Sequence, residues 1–150
     1  MSRQPKFSII TITYNAAAVI TPTLQSVLSQ TYTNYEYLLI DGGSKDGTLA
    51  VVDKYRDRIA KVVSEPDEGI SDAFNKGIRM ATGDIIGVLN SDDFFTSNNI
   101  IEQVVNAFNK ENIDAVYGDI HFVNSDNLNK CVRYYSSKSF RPCMRRMGFM

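Results

Sequence analysis

Phe7-Ser8-Ile9-Ile10-Thr11-Ile12-Thr13 is the stretch that decides the fold. It is β-branched and mostly apolar without strict alternation, the pattern of a strand buried on both faces of a parallel sheet. Tyr14-Asn15 follows. Thr21-Pro22 then reads as an N-cap and first helical position, and Ile20, Leu24, Val27 and Leu28 share one helical face.

The same alternation runs onward. Tyr37-Leu38-Leu39-Ile40 makes a second strand that ends at Asp41, and Gly42-Gly43-Ser44-Lys45-Asp46-Gly47 turns the chain into a helical pattern through Leu49, Val52 and Tyr55. Lys61-Val62-Val63-Ser64 is a third strand, and Ile70, Ala73, Phe74, Gly77, Ile78 and Ala81 recur at helical spacing after it. Asp84 to Leu89 is a fourth strand ending at Asn90-Ser91-Asp92-Asp93. Ile100, Ile101, Val104, Val105 and Phe108 mark the next helix, with Asn99 and Glu102 spaced as a capping box. Ala115-Val116-Tyr117 opens a fifth strand, and Asn124-Ser125-Asp126-Asn127 separates two β-like runs that can pair as a hairpin.

Strands alternating with helices predict an α/β fold, a mostly parallel sheet with helices on both faces. Residues 1–123 read as this domain and residues 124–150 as a hairpin and linker. With 150 residues, 43% hydrophobic and 22% charged, the chain is long enough for about one domain with a real core. A formal charge of -1, from 16 basic and 17 acidic residues, gives no footprint for a nucleic-acid partner. Cys131 and Cys143 form neither a disulfide framework nor a zinc-ligand spacing, which fits a reducing cytoplasm. No apolar run approaches the about 18 residues of a membrane span, so the chain is expected in the cytoplasm. Arg141, Arg145 and Arg146 beside Met144, Met147 and Phe149 offer peripheral contact with the inner face of an anionic membrane, against the plainer reading of a solvated linker.

In open parallel sheets, ligands bind beyond the carboxyl ends of the strands. That rule selects Tyr14-Asn15, Asp41 with its glycines, Glu65-Pro66-Asp67 and Asn90 to Asp93. Asp92 and Asp93 are adjacent carboxylates in a loop. At 4 Å and an effective dielectric near 20, each would repel a diphosphate charge by about 4 kcal/mol unless a divalent cation lay between them. Hard oxygen ligands suit Mg or Mn, whose shell is completed by phosphate and water. The ordinary alternative is that Asp92 caps the next helix and Asp93 is solvated. Asp41 precedes glycines that let a backbone approach a base or ribose. Equally, it can sit in a tight turn where Ser44 and Asp46 satisfy backbone donors. Tyr14 can stack on a base or simply pack. Lys76 and Arg79 read as helical surface charges, and His121 is assigned no catalytic role. The Gly-rich turn is neither a dinucleotide fingerprint nor a Walker loop.

Taken together, Thr13-Tyr14-Asn15, Ser29-Gln30-Thr31-Tyr32, Asp41 through Thr48, Glu65 through Gly77, Ala81-Thr82-Gly83-Asp84 and Leu89 through Asp93 resemble the family 2 glycosyltransferases in order and spacing, over roughly residues 7 to 120. The resemblance implies a GT-A fold and a nucleoside-diphosphate-sugar donor, a UDP-sugar foremost. It also implies inverting transfer to a carbohydrate or lipid-linked acceptor hydroxyl, in polysaccharide or surface-glycan biosynthesis. By the same resemblance Tyr14 and Asp41 line the nucleoside pocket, Thr13 and Asn15 also bind the donor, and Asp67 and Asn75 lie in a loop and helix start beside it. Asp92 serves the ribose or the metal, and Asp93 is the metal-coordinating end of the DXD motif. Two departures stand out: Gly42 occupies the place of a second acid associated with base recognition, and Asn90 that of the motif's first acid. The family's general base is expected beyond Met150, in an acceptor-binding segment to which 144–150 would lead. Two competing readings are a nucleotide-binding module without turnover and a sugar nucleotidyltransferase; only the latter would release pyrophosphate from a nucleoside triphosphate and a sugar phosphate.

Overall fold

The computed structural model describes residues 4–110 and 113–137. The chain divides into two compact units, Met1–Asn112 and Ile113–Met150. The tail 138–150, with its arginines and Cys143, lies outside the described residues.

In the first unit, four strands form one parallel sheet: β1 (Phe7–Thr13), β2 (Tyr35–Asp41), β3 (Lys61–Ser64) and β4 (Ile85–Val88), in the spatial order β3-β2-β1-β4. The expected parallel α/β fold is what forms. Between them run α1 (Ile20–Leu28), α2 (Thr48–Val52) continued by a 3-10 turn at Asp53–Arg58, and α3 (Ile70–Met80); α4 (Ile100–Lys110) follows β4. The period-2 alternation of side chains along β1 and β2 builds two cores. Phe7, Ile9, Tyr37 and Leu39 pack with Leu24 and Val27 of α1, Val52 of α2 and Ile101 and Val105 of α4. Ile10, Ile12, Leu38 and Ile40 pack on the other face with Ala73 and Phe74 of α3. Every residue of β1 is buried, as its β-branched, mostly apolar pattern predicts. Gly77 lets α3 lie close to the sheet: a Cβ there would stand 2.5 Å from Cγ2 of Ile10.

Several local expectations need correction. The first helix starts at Ile20, with Val19 rather than Thr21 at its cap, because Val19 and Ile20 N–H groups both bond Ala16 C=O. Pro22 falls inside the first turn, where its missing N–H costs nothing. No capping box forms at α4: Asn99 Oδ1 accepts from Ser97 Oγ and Gln103 Nε2, while Glu102 Oε2 accepts from Thr31 Oγ1 at 3.3 Å. Ala115-Val116-Tyr117 is not a strand. In the second unit β5 (Ile120–Asn124) starts later and pairs antiparallel with β6 (Asn127–Tyr135) across the expected polar turn, where Asn124 Oδ1 accepts the Asp126 N–H. His121 stacks edge-on against Tyr134 in this hairpin, centroids 5.0 Å apart.

The amino-terminal edge of the sheet is fastened by one carboxylate. Glu36 accepts from Lys6 Nζ at 2.8 Å, Ser8 Oγ at 2.6 Å, and the Thr82 N–H at 2.6 Å, joining β1, β2 and the chain after α3. Burial pushes its carboxyl up, but the bonds from Lys6, Ser8 and Thr82 outweigh burial and hold it at about 2. Because the folded value lies below the unfolded one, the pair stabilises above pH 4.5 and is lost as pH falls from there toward about 2. With the Glu36 side chain 12% exposed and Lys6 39%, the contribution is roughly 2 kcal/mol after allowance for solvent screening. Glu36→Gln is therefore expected to lower urea stability near neutral pH by about that amount, with the deficit vanishing by about pH 2. A deficit independent of pH would contradict this assignment.

Candidate functional site

The strand order carries the first clue. Going from β1, the chain adds β2 and β3 on one side and then crosses to place β4 on the other. The connections diverge between β1 and β4, and open α/β sheets bind ligands in the crevice at such a switch point. Beyond the carboxyl ends of these strands lie Tyr14-Asn15 after β1 and Asn90 to Asp93 after β4, whose Leu89 N–H still bonds Ile10 C=O of β1 at 3.0 Å.

The loops after β1 and β2 are laced into one body. Asn15, at φ 48 in the left-handed region that asparagine tolerates, donates its N–H to Ser44 Oγ at 2.8 Å and accepts the Lys45 N–H on Oδ1 at 2.9 Å. Ala16 N–H reaches Thr48 Oγ1 at 2.8 Å and Ala17 N–H reaches Asp46 Oδ2 at 3.0 Å. The bond from Thr48 Oγ1, then those from backbone amides, holds the Asp46 carboxyl below its ordinary range. The result is a fixed platform on which the Tyr14 ring stands 64% exposed, an unusual position for a large aromatic.

Asp41 organises that platform from below. It is fully buried, and its oxygens accept from Gly43 N–H at 3.1 Å, Ser44 N–H at 3.0 Å, Ser64 Oγ at 2.6 Å and Ser44 Oγ. In this turn Asp41 itself accepts the backbone donors that Ser44 and Asp46 were expected to satisfy, with Ser64 of β3 as an additional donor. Thr13, also buried, is the only described residue with a buried side-chain polar atom lacking a hydrogen-bond partner, its Oγ1.

The loop after β3 closes on the same place. Glu65 N–H bonds Asp41 C=O at 3.0 Å, and Asp67 Oδ2 faces Gly42 while Oδ1 accepts the Gly69 N–H at 2.9 Å. Lys76, read from sequence as a surface charge, holds this loop onto α3: Nζ lies 2.9 Å from Pro66 O, 3.1 Å from Glu65 Oε1 and 3.3 Å from Asp72 Oδ2. Its i,i+4 spacing from Asp72 was visible in sequence; its reach to the loop was not.

At the end of β4, Asp93 N–H bonds Asn90 C=O at 3.2 Å and Asn90 Nδ2 donates to Asp93 Oδ2 at 3.1 Å, so the Asn90 amide orients the Asp93 carboxylate. Ser91 C=O accepts from Thr23 Oγ1 at 2.8 Å, pinning the turn to α1. Asp92 and Asp93 are exposed. No group of three or more metal-ligating side chains occurs among the described residues. Two carboxylates with hard oxygen donors nevertheless suit Mg or Mn, which take one or two protein carboxylates and complete their shell with phosphate and water. Thr13, Tyr14, Asn15, Asp41 and Asp67 are thus brought together, Asp92 and Asp93 stand at the neighbouring strand end, and Asn75 lies exposed on α3 without a bond tying it to the group.

Known proteins resemble this chain in sequence and in fold. The chain is 35% identical over 122 residues to the UDP-Glc:alpha-D-GlcNAc-diphosphoundecaprenol beta-1,3-glucosyltransferase WfgD of Escherichia coli, covering 81% of this chain and 48% of that protein. It is 35% identical over 120 residues to a PGL/p-HBAD biosynthesis glycosyltransferase of Mycobacterium bovis, covering 77% and 47%. The chain spans about half the length of the curated relatives it matches. Among solved structures it is similar to S. aureus TarS 1-349 in complex with UDP-GlcNAc, with a TM-score of 0.60 and 30% identity over 69% of this chain and 30% of that one. It is also similar to the mannosyltransferase PcManGT from Pyrobaculum calidifontis in complex with GDP-Man and Mn2+, with a TM-score of 0.64 and 26% identity over 81% and 36%. The description Glycosyl transferase family 2 matches residues 8–147, nearly the whole chain. With the sheet, the loop platform and the sequence in agreement, this chain belongs to glycosyl transferase family 2 and carries the family's GT-A fold.

Proposed function

We propose that the crevice between the ends of β1 and β4 binds a nucleoside-diphosphate-sugar, and that the protein transfers the sugar to an acceptor hydroxyl with inversion. The observation that carries this reading is the switch point itself: an exposed aromatic on a rigid loop platform at the end of β1 and paired carboxylates at the end of β4. In this reading Tyr14 offers its face to the base, Asn15 and Thr13 hold the strand end against the nucleoside, and Asp67 lies beside the ring. Asp41 acts from within, by fixing the loop that carries Gly42 and Gly43. Asn75 lies on the helix flanking the donor. Asp93, oriented by Asn90, and Asp92 hold Mn or Mg, which supplies charge neutralisation of the leaving diphosphate.

Inversion follows from direct displacement. The acceptor oxygen attacks the anomeric carbon, the bond from that carbon to the diphosphate oxygen breaks, and the acceptor proton passes to a general base that none of these residues is assigned to be. The relatives support the substrate class: WfgD is named for UDP-Glc and a diphosphoundecaprenol-linked sugar, TarS was solved with UDP-GlcNAc, and PcManGT with GDP-Man and Mn2+. We therefore propose a UDP-sugar donor, a carbohydrate or lipid-linked acceptor, a role in surface-glycan assembly, and a location in the cytoplasm at the inner membrane face. Among the described residues no helix is long and apolar enough to cross a membrane. Calorimetric titration with UDP-Glc, UDP-GlcNAc and GDP-Man, with and without Mn2+, tests the reading. Saturable, Mn2+-dependent binding of at least one is expected, and no binding of any of the three would sink it.

A further inference from the structure

A side chain at position 42 and the carboxylate of Asp67 compete for one place. A Cβ built on Gly42 would stand 2.6 Å from Asp67 Oδ2, 3.3 Å from its Cγ and 3.4 Å from Cδ2 of the Tyr14 ring. Position 42 is therefore a wedge of space walled by a carboxylate on one side and an aromatic ring on the other. The backbone does not call for glycine here. Gly43, Gly47 and Gly69 have positive φ, at 85, 93 and 110, whereas Gly42 is not among the positive-φ residues. What excludes a side chain at 42 is the acid that comes from the β3 loop.

That acid is held in position. Its Oδ1 is tied to the Gly69 N–H at 2.9 Å, Lys76 Nζ grips the preceding Pro66 C=O at 2.9 Å, and Glu65 N–H is bonded to Asp41 C=O at 3.0 Å. Turning the carboxylate away from position 42 would cost the bond to Gly69. The family's frequent second acid after β2 is absent from this chain, and a different acid, from a different loop, fills the space its side chain would need.

We propose that Gly42 is a specificity position: by lacking a side chain it leaves room for the Asp67 carboxylate beside the space that the Tyr14 ring borders, where that carboxylate reads the edge of the stacked base. This rests on the nucleoside site proposed above. A carboxylate has lone pairs only. It favours a base with a ring N–H on that edge, such as uracil at N3, and disfavours one that turns a ring lone pair toward it, such as cytosine at N3. A hydrogen bond to a charged group at a partly exposed site is expected to separate the two by about tenfold in affinity.

The test compares wild type, Gly42→Ala, Asp67→Ala and the double variant, each titrated with UDP and with CDP in the presence of Mn2+. Wild type is expected to prefer UDP by about tenfold. Each single variant should abolish that preference, and the double variant should be no worse than Asp67→Ala. Retention of the preference in Asp67→Ala overturns the proposal even if Gly42→Ala fails to fold. So does a loss from Gly42→Ala that is the same with and without the Asp67 carboxylate, because the added methyl would then be blocking the ring alone. Wild type binding UDP and CDP equally overturns this inference and leaves the donor site standing; wild type binding neither overturns the donor site and this inference with it.

Discussion

Replacing Asp41 by alanine is expected to lower the free energy of unfolding by on the order of 5 kcal/mol, enough to remove most of the stability of a domain this size. The carboxylate is fully buried and accepts from two backbone amides, of Gly43 and Ser44, and from the hydroxyls of Ser44 and Ser64. Truncation leaves these part-buried donors without the carboxylate, and each one that water does not reach costs about 1–3 kcal/mol. Asp41→Asn does not rescue the site, because its amide nitrogen presents donors to donors. Ser64→Ala removes one partner and is expected to cost only about 1 kcal/mol. Urea unfolding of the three variants checks the ranking; a loss below about 1 kcal/mol for Asp41→Ala would mean that water replaces the carboxylate freely and that the loop platform does not depend on it.

Asp93→Ala is expected to reverse that profile, with stability unchanged within about 0.5 kcal/mol and Mn2+-dependent nucleotide affinity reduced at least about 100-fold. The side chain is exposed, and its bond from Asn90 Nδ2 at 3.1 Å is a surface contact. The sign of the effect without metal is diagnostic. In wild type the carboxylates of Asp92 and Asp93 repel a diphosphate when no cation intervenes, so Asp93→Ala should bind UDP in metal-free buffer as well as or better than wild type. Equal weakening with and without Mn2+ would show that Asp93 contacts the nucleotide without a metal. Asn90→Ala should lose less, since it removes only the group that orients Asp93.

Phe7 to Thr13 was legible because burial on both faces leaves a β-branched, mostly apolar run, and α3 because Ala73, Phe74 and Gly77 keep helical spacing against one sheet face. The strand-end rule then pointed to Tyr14, Asp41, Asp67 and the Asp92-Asp93 pair without any coordinates. Local errors came where other short-range bonds won over the expected caps. Ala16 C=O starts α1 ahead of Thr21-Pro22, and Asn99 spends its side chain on Ser97 and Gln103 instead of on a cap. Ala115-Val116-Tyr117 has β-forming residues, yet the ladder of the second unit begins only at Ile120.

The site's internal wiring was beyond sequence reading for a simple reason: its bonds join loops that are distant in the chain. Ser44 bridges Asn15 and Asp41, Ser64 reaches back to Asp41, and Lys76 grips the Glu65-Pro66 turn. Gly42 is the plainest case. Read along the chain it is a missing acid; in the fold it is the space occupied by the carboxylate of Asp67.

The central claim is that a nucleoside diphosphate and its metal occupy the crevice between the ends of β1 and β4. Amide NMR spectra of the isotopically labelled chain, recorded with UDP as Mn2+ is added at substoichiometric levels, test it most directly. Paramagnetic broadening should appear first at Asn90 to Asp93 and next at Tyr14 and Asn15, and Asp93→Ala should abolish it. Broadening centred on the amino-terminal edge around Lys6, Glu36 and Thr82, or broadening that persists in Asp93→Ala, would contradict the account.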